Sequence, residues 1–228
     1  VSETVAVFVR EWTTEWRTRV ALSSTALFAV GALTLIGLAL RGGQAVVSPN
    51  ITAGLLWVLL LFTAATGLGR AFVQEEERGT ALALRLCARG SVVWTGKFLA
   101  NLALILGIAA FSAPALLTML AIPVANVLLL SSVLVLGSVG IAGVFTMTSA
   151  LVAQASAKGG LLAALSFPLL VPLLVASVHG TEAALGVGAK PGEMVSLAVG
   201  LPDIQVLLSY AVVTVTASLL LFDFLWND

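Results

Sequence analysis

Residues 74–90, QEEERGTALALRLCARG, hold three carboxylates and three arginines in a chain where only 10% of residues are charged. A short helix starting near Thr80 would put Leu82 and Leu86 on one side, with Arg85 and Arg89 as an adjacent strip, because residues four apart stack along a helix. Glu75, Glu76 and Glu77 precede that start, where negative charge suits a helix N-terminus. Arg78 closes the acidic run and Gly79 forms the joint. The segment thus offers an apolar ridge edged by cations. Two uses fit it. The first is a helix lying on lipid, leucines inward and arginines on phosphates. The second is a docking helix that enters a groove on a partner protein.

Other candidate chemistries fall short. In GSVVWTGKF, five residues rather than four separate Gly90 from Gly96, and Phe98 stands where a phosphate-binding loop needs a hydroxyl. LGSVG, residues 136–140, lacks the order of a serine nucleophile turn. Cys87 is the only cysteine, which excludes an internal disulfide and a CxxC redox pair; a small helix residue is its simplest role. His179 is the only histidine. It stands at the outer end of a span, where a haem or metal contact is the alternative to an ordinary exposed histidine. No ionisable group falls at a span centre, where an intramembrane enzyme would need one.

These residues are set in a chain that is 60% hydrophobic, with a mean hydropathy of +1.11, which reads as an integral membrane protein. A bilayer core of about 30 Å takes roughly 20 apolar residues per helix. Spans are expected at about 21–40, 51–73, 98–122, 127–156, 159–178 and 204–222, within one transmembrane domain. The stretch between Lys97 and Lys158 has no charge and is too long for one crossing, so it folds back, at AIPVAN. Pro168 and Pro172, four apart, should kink the fifth span. Gly137, Gly140 and Gly143 recur every third residue in the fourth, as close helix packing requires. Residues 179–202 form an outer loop with room for a short re-entrant or interfacial helix.

Residues 1–20 lack the pattern of a cleaved signal. Val5, Phe8, Val9, Trp12, Trp16 and Val20 recur at helical spacing, with Arg10, Glu11, Glu15 and Arg17 mainly off that stripe. An interfacial helix is expected, with Phe8, Trp12 and Trp16 at headgroup depth. The fold class is therefore all-α: six transmembrane helices, an N-terminal amphipathic helix, and a short helix within a cytoplasmic segment at 74–96. Lysine and arginine placement sets the orientation. With the N-terminus inside, nine cations (Arg10, Arg17, Arg19, Arg70, Arg78, Arg85, Arg89, Lys97, Lys158) lie on the cytoplasmic side and two (Arg41, Lys190) outside. Both termini are then cytoplasmic. A net charge of zero gives no footprint for nucleic acid.

SPNITAGLLWVLLLFTAATGLGRAFVQEEERGTALALRLCARGSVVWTGKFLANLAL resembles the corresponding region of CcmB, the permease of the haem-exporter-type ABC transporter of cytochrome c maturation. The likeness rests on Pro49 and Trp57 entering span two, Arg70 and Phe72 at its end, the acidic cluster, Gly79 followed by Thr80, the leucine-bearing helix and Lys97 opening span three. AKGGLLAALSFPLLVPLLVAS is a second similar patch. The chain departs from the family pattern at Gly69 and Ala88.

The resemblance implies that Glu75 to Arg89, including Glu76, Arg78, Gly79, Thr80, Leu82, Arg85 and Leu86, contact a separate CcmA-like ATPase. That partner would hold ATP and Mg²⁺, and this chain would be no enzyme and bind no cofactor of its own. It further implies a homodimer of permeases, CcmC-like and CcmD-like membrane partners, a CcmE-like haem chaperone, haem as cargo, and a bacterial inner-membrane location. An ABC-2-type exporter of lipid, polysaccharide or drug is the alternative, and a noncatalytic membrane scaffold a third.

Overall fold

The computed structural model describes residues 2–41, 47–68, 72, 89–153, 158–188 and 196–227. Regular structure among them is all helical. The elements are α1 (Ser2–Thr18), α2 (Val20–Arg41), α3 (Pro49–Gly67), α4 (Gly90–Met119), α5 (Val127–Ala153), α6 (Lys158–Ala184), a short 3-10 helix (Leu197–Gly200) and α7 (Leu201–Asn227). Six stretches are long and apolar enough to cross a bilayer: Ala21–Leu40, Pro49–Gly67, Gly90–Met119, Val127–Ala153, Ala164–Ala184 and Leu197–Asp223.

Local chemistry explains the joints. Arg19, at φ 54°, breaks the chain between α1 and α2. Ser48 is extended and Pro49 opens α3, a position where its missing N–H costs no bond. At the turn between α4 and α5, Asn126 Oδ1 accepts from the amide of Leu129 at 2.9 Å, capping α5. The amides of Ala125 and Asn126 both donate to the carbonyl of Ala184 at 3.0 Å, so the same turn closes the end of α6.

Several boundaries differ from the hydropathy-based ones. In the second span α3 runs to Gly67 with Leu68 as its C-cap, and residues 69–71 and 73 of the expected 51–73 lie outside the described residues. The third helix starts at Gly90, eight residues before 98, so 90–96 are helical and continuous with the span. Lys97 looked like a boundary because it is charged. Its charge is paired inside the protein, so the helix runs straight past it. At 30 residues, α4 is about 45 Å long, more than the hydrocarbon thickness. Likewise α6 continues to Ala184, taking in His179 and Glu182, which leaves a shorter connection than 179–202. Residues 154–157 and 189–195 lie outside the described residues. Pro114, Pro168 and Pro172 all sit inside helices that continue beyond them.

α5 is central, packing against α4, α6 and α7, while α3 packs against α2, α4 and α6. Lipid is as apolar as leucine, so close packing and interhelical hydrogen bonds must hold such a bundle. Both are present. A Cβ on Gly137 would collide with the Trp57 ring of α3, and one on Gly140 would come 2.5 Å from Leu173 Cδ1 of α6. Trp57 Nε1 donates to Thr181 Oγ1 at 2.8 Å, Thr148 and Ser166 hydroxyls pair at 2.8 Å, and the Tyr210 hydroxyl donates to the Leu169 carbonyl. Leu27, Leu35 and Leu38 of α2, with Val212, Val213 and Leu220 of α7, face outward.

Candidate functional site

Glu75, Glu76, Arg78, Gly79, Thr80, Leu82, Arg85 and Leu86 lie outside the described residues. Arg89, expected on the same helical strip as Arg85, is instead extended, at φ −68° and ψ 148°. It is the N-cap of α4, and its carbonyl accepts from the amides of Val92 at 3.1 Å and Val93 at 3.2 Å. A helix that begins at Gly90 needs a non-helical residue before it, so Arg89 cannot continue one from Arg85.

What the structure does describe is the anchorage of that segment. Phe72, just before it, is buried and packs on Phe222 of α7, ring centroids 5.0 Å apart. Just after it, the first turns of α4 bury Trp94, Lys97, Phe98 and Asn101, at the i, i+3, i+4, i+7 spacing of one helix face. Trp94 and Phe98 stack at 5.1 Å with planes 7° apart. Asn101 Nδ2 donates to Thr146 Oγ1 of α5 at 2.9 Å.

Lys97 is the electrostatic centre of this region. Its side chain is 1% exposed, and Nζ lies 3.0 Å from Glu11 Oε1 of α1 and 5.2 Å from the centre of the Phe72 ring. An ammonium removed from water needs such a counter-charge, and an aromatic face adds about 1 kcal/mol of attraction. Removing one member of a buried pair typically costs about 3–5 kcal/mol. Glu11 keeps 21% side-chain exposure, so the low end, about 3 kcal/mol, applies here. Beside it, a Cβ on Gly96 would lie 2.5 Å from Val7 Cγ1, so the missing side chain lets α1 close onto α4.

The face of α1 turned to the bundle therefore carries Val7, Glu11 and Glu15, the last accepting from the Leu22 amide at 2.8 Å. Val5, Val9 and Trp16 face away. Phe8 stacks on Trp12 at 6.0 Å and Trp12 meets Trp16 edge-on at 6.2 Å; Phe8 and Trp12 are half-buried and Trp16 is exposed. Trp12 also borders a groove of about 240 Å³ between α2 and α4. At the far end of the bundle His179 is exposed on α6, within electrostatic range of Asp203. No group of three His, Cys, Asp or Glu side chains able to hold a metal occurs among the described residues.

Sequence reasoning did not find the Glu11–Lys97 pair. The available signal was a lysine seven residues into a long apolar helix, which must either reach the interface or find an anion. The acid sat 86 positions away, on a helix whose charged side was expected to face water.

The six apolar helices and their mutual packing define a multi-pass α-helical membrane protein. The sequence model of the family described as CcmB protein matches residues 2–217, so the chain belongs to the CcmB family. The family places it as a transporter membrane subunit with a haem-exporter permease role in cytochrome c maturation. Neither the curated proteins nor the solved structures gave a match.

Proposed function

We propose that this chain couples ATP hydrolysis by a separate CcmA-like ATPase to haem delivery, or to release of a haem-loaded CcmE-like chaperone. The family match across residues 2–217 carries this reading. The segment Glu75 to Leu86 is the dock, with Leu82 and Leu86 entering a groove and Arg85 meeting acids on its rim. Arg89, exposed at the head of α4, borders the dock and does not belong to its helix. ATP and Mg²⁺ belong to the partner, and haem is cargo.

Phe72 and Arg89, which flank the dock, sit at the end of the bundle where α1 lies. The nine-to-two distribution of cations supports a cytoplasmic position for that end and for both termini, in a bacterial inner membrane. Two permease copies with CcmC-like and CcmD-like proteins complete the proposed complex.

Affinity purification of the tagged chain from its native membrane, with identification of bound subunits, is the direct test. An ATPase with a Walker loop and a haem-handling membrane protein are expected. A stable complex with no nucleotide-binding subunit would refute the coupling role and favour a scaffold.

A further inference from the structure

Lys97 joins three parts of the chain. It rises from the second turn of α4, holds Glu11 of α1 at 3.0 Å, and covers the ring of Phe72, the last described residue before the dock. Phe72 leans in turn on Phe222 of α7. One turn further along α4, Asn101 reaches Thr146 of α5. An amphipathic helix such as α1 can rest on a membrane by its apolar face alone. Here it is fixed by two independent devices at neighbouring positions, the enclosed ion pair at Lys97 and the glycine notch at Gly96 that admits Val7. Drawing a buried charge away from its counter-charge is costly, so the contact resists small relative movements of the two helices.

We infer that Lys97 is a positioning residue: through Glu11 and Phe72 it makes α1, the head of α4 and the entry to the dock move as one body, so that a push on the dock reaches α5. This inference rests on the docking role proposed above, and it names where the push enters the bundle.

The test uses the full complex in vesicles of phosphatidylethanolamine and phosphatidylglycerol, with Lys97→Met, Glu11→Gln and the charge exchange Glu11→Lys/Lys97→Glu. Three quantities are read: ATPase subunit bound, haem-chaperone released per ATP hydrolysed, and trypsin cleavage of α1 after Arg17, whose flanking residues no variant changes. Each single variant should keep its ATPase subunit and its hydrolysis while release per ATP falls about tenfold, a usual size for coupling between sites. Cleavage of α1 should rise in step, and the charge exchange should recover most of both.

A purely structural role would instead lower subunit binding, hydrolysis and release together. Unchanged release per ATP in both single variants overturns the inference, as does an inserted charge-exchange variant no better than the singles. If the wild-type chain carries no ATPase subunit, the docking role falls by itself. The tryptic pattern then decides the clamp: cleavage that rises in the single variants and falls back in the exchange supports it, and cleavage unchanged by either overturns it.

Discussion

Asn101 of α4 donates its side-chain amide to the hydroxyl of Thr146 of α5 at 2.9 Å, and both residues are buried. Thr146 donates its own hydroxyl to the Ala142 carbonyl at 2.6 Å, so the amide is held by a hydroxyl that is already oriented. Interhelical bonds of this kind in membrane proteins contribute about 1 kcal/mol. Asn101→Leu should therefore lower stability by about 1 kcal/mol, read as a fall in thermal unfolding temperature in detergent. Asn101→Leu/Thr146→Val should be no worse than Asn101→Leu alone, because the pair is lost as a unit. Additive losses would mean that the two side chains are held by other partners.

Glycines on these helices should divide by what surrounds them. An alanine at Gly137 would drive its methyl into the buried Trp57 ring, which is itself tethered to Thr181 and cannot turn aside. We expect Gly137→Ala to cost about 2–3 kcal/mol by overpacking. Gly107 has nothing within 4 Å of an added Cβ, so Gly107→Ala should be neutral or gain up to about 1 kcal/mol from helix propensity. Yield and unfolding temperature of the two variants, measured side by side, check the contrast.

The helical architecture was legible from hydropathy because a bilayer fixes span length and each run of apolar residues here meets it. The fold-back at Pro123 to Asn126 was legible for a local reason, a proline followed three residues later by an N-cap side chain. Lys97 was misread because charge in a sequence says nothing about what will neutralise it. Arg89 lies off the helical strip expected from Arg85, because residues four apart share a helix face only while the helix lasts, and here a new helix starts at the next residue. Glu11 had an acid's usual place on an amphipathic helix, and only the approach of α4 turned that side inward.

The dock separates two arginines that sequence alone treated alike. Arg85→Glu should leave membrane insertion intact and weaken ATPase-subunit binding about tenfold or more in pull-down titrations, since reversing a charge at a protein interface adds repulsion to the lost attraction. Arg89→Glu should weaken it less, because Arg89 is the extended cap of α4 and its structural contribution runs through its backbone carbonyl, which the substitution keeps. Equal effects at the two positions would place Arg89 inside the contact after all. No effect at either would remove the arginine edge from the dock.

The elbow between α1 and α2 makes a prediction about backbone and charge together. Arg19 is held at φ 54°, a conformation that a side chain with a Cβ adopts at a cost of about 1 kcal/mol or more, and that asparagine tolerates better. The elbow is fixed on both sides: Arg19 donates its amide to the Glu15 carbonyl at 2.6 Å, and the Glu15 carboxylate accepts from the Leu22 amide in the first turn of α2. Arg19→Asn should thus be neutral or slightly stabilising, whereas the β-branched Arg19→Val should destabilise by about 1–2 kcal/mol. Glu15→Ala strands a helix N-terminal amide and should cost about 1 kcal/mol. It should also loosen α1 enough to raise tryptic cleavage after Arg17, while cleavage after Arg10, next to the Glu11–Lys97 pair, stays low. Uniform cleavage at both sites in Glu15→Ala would show that the elbow, and not the ion pair, holds α1 against α4.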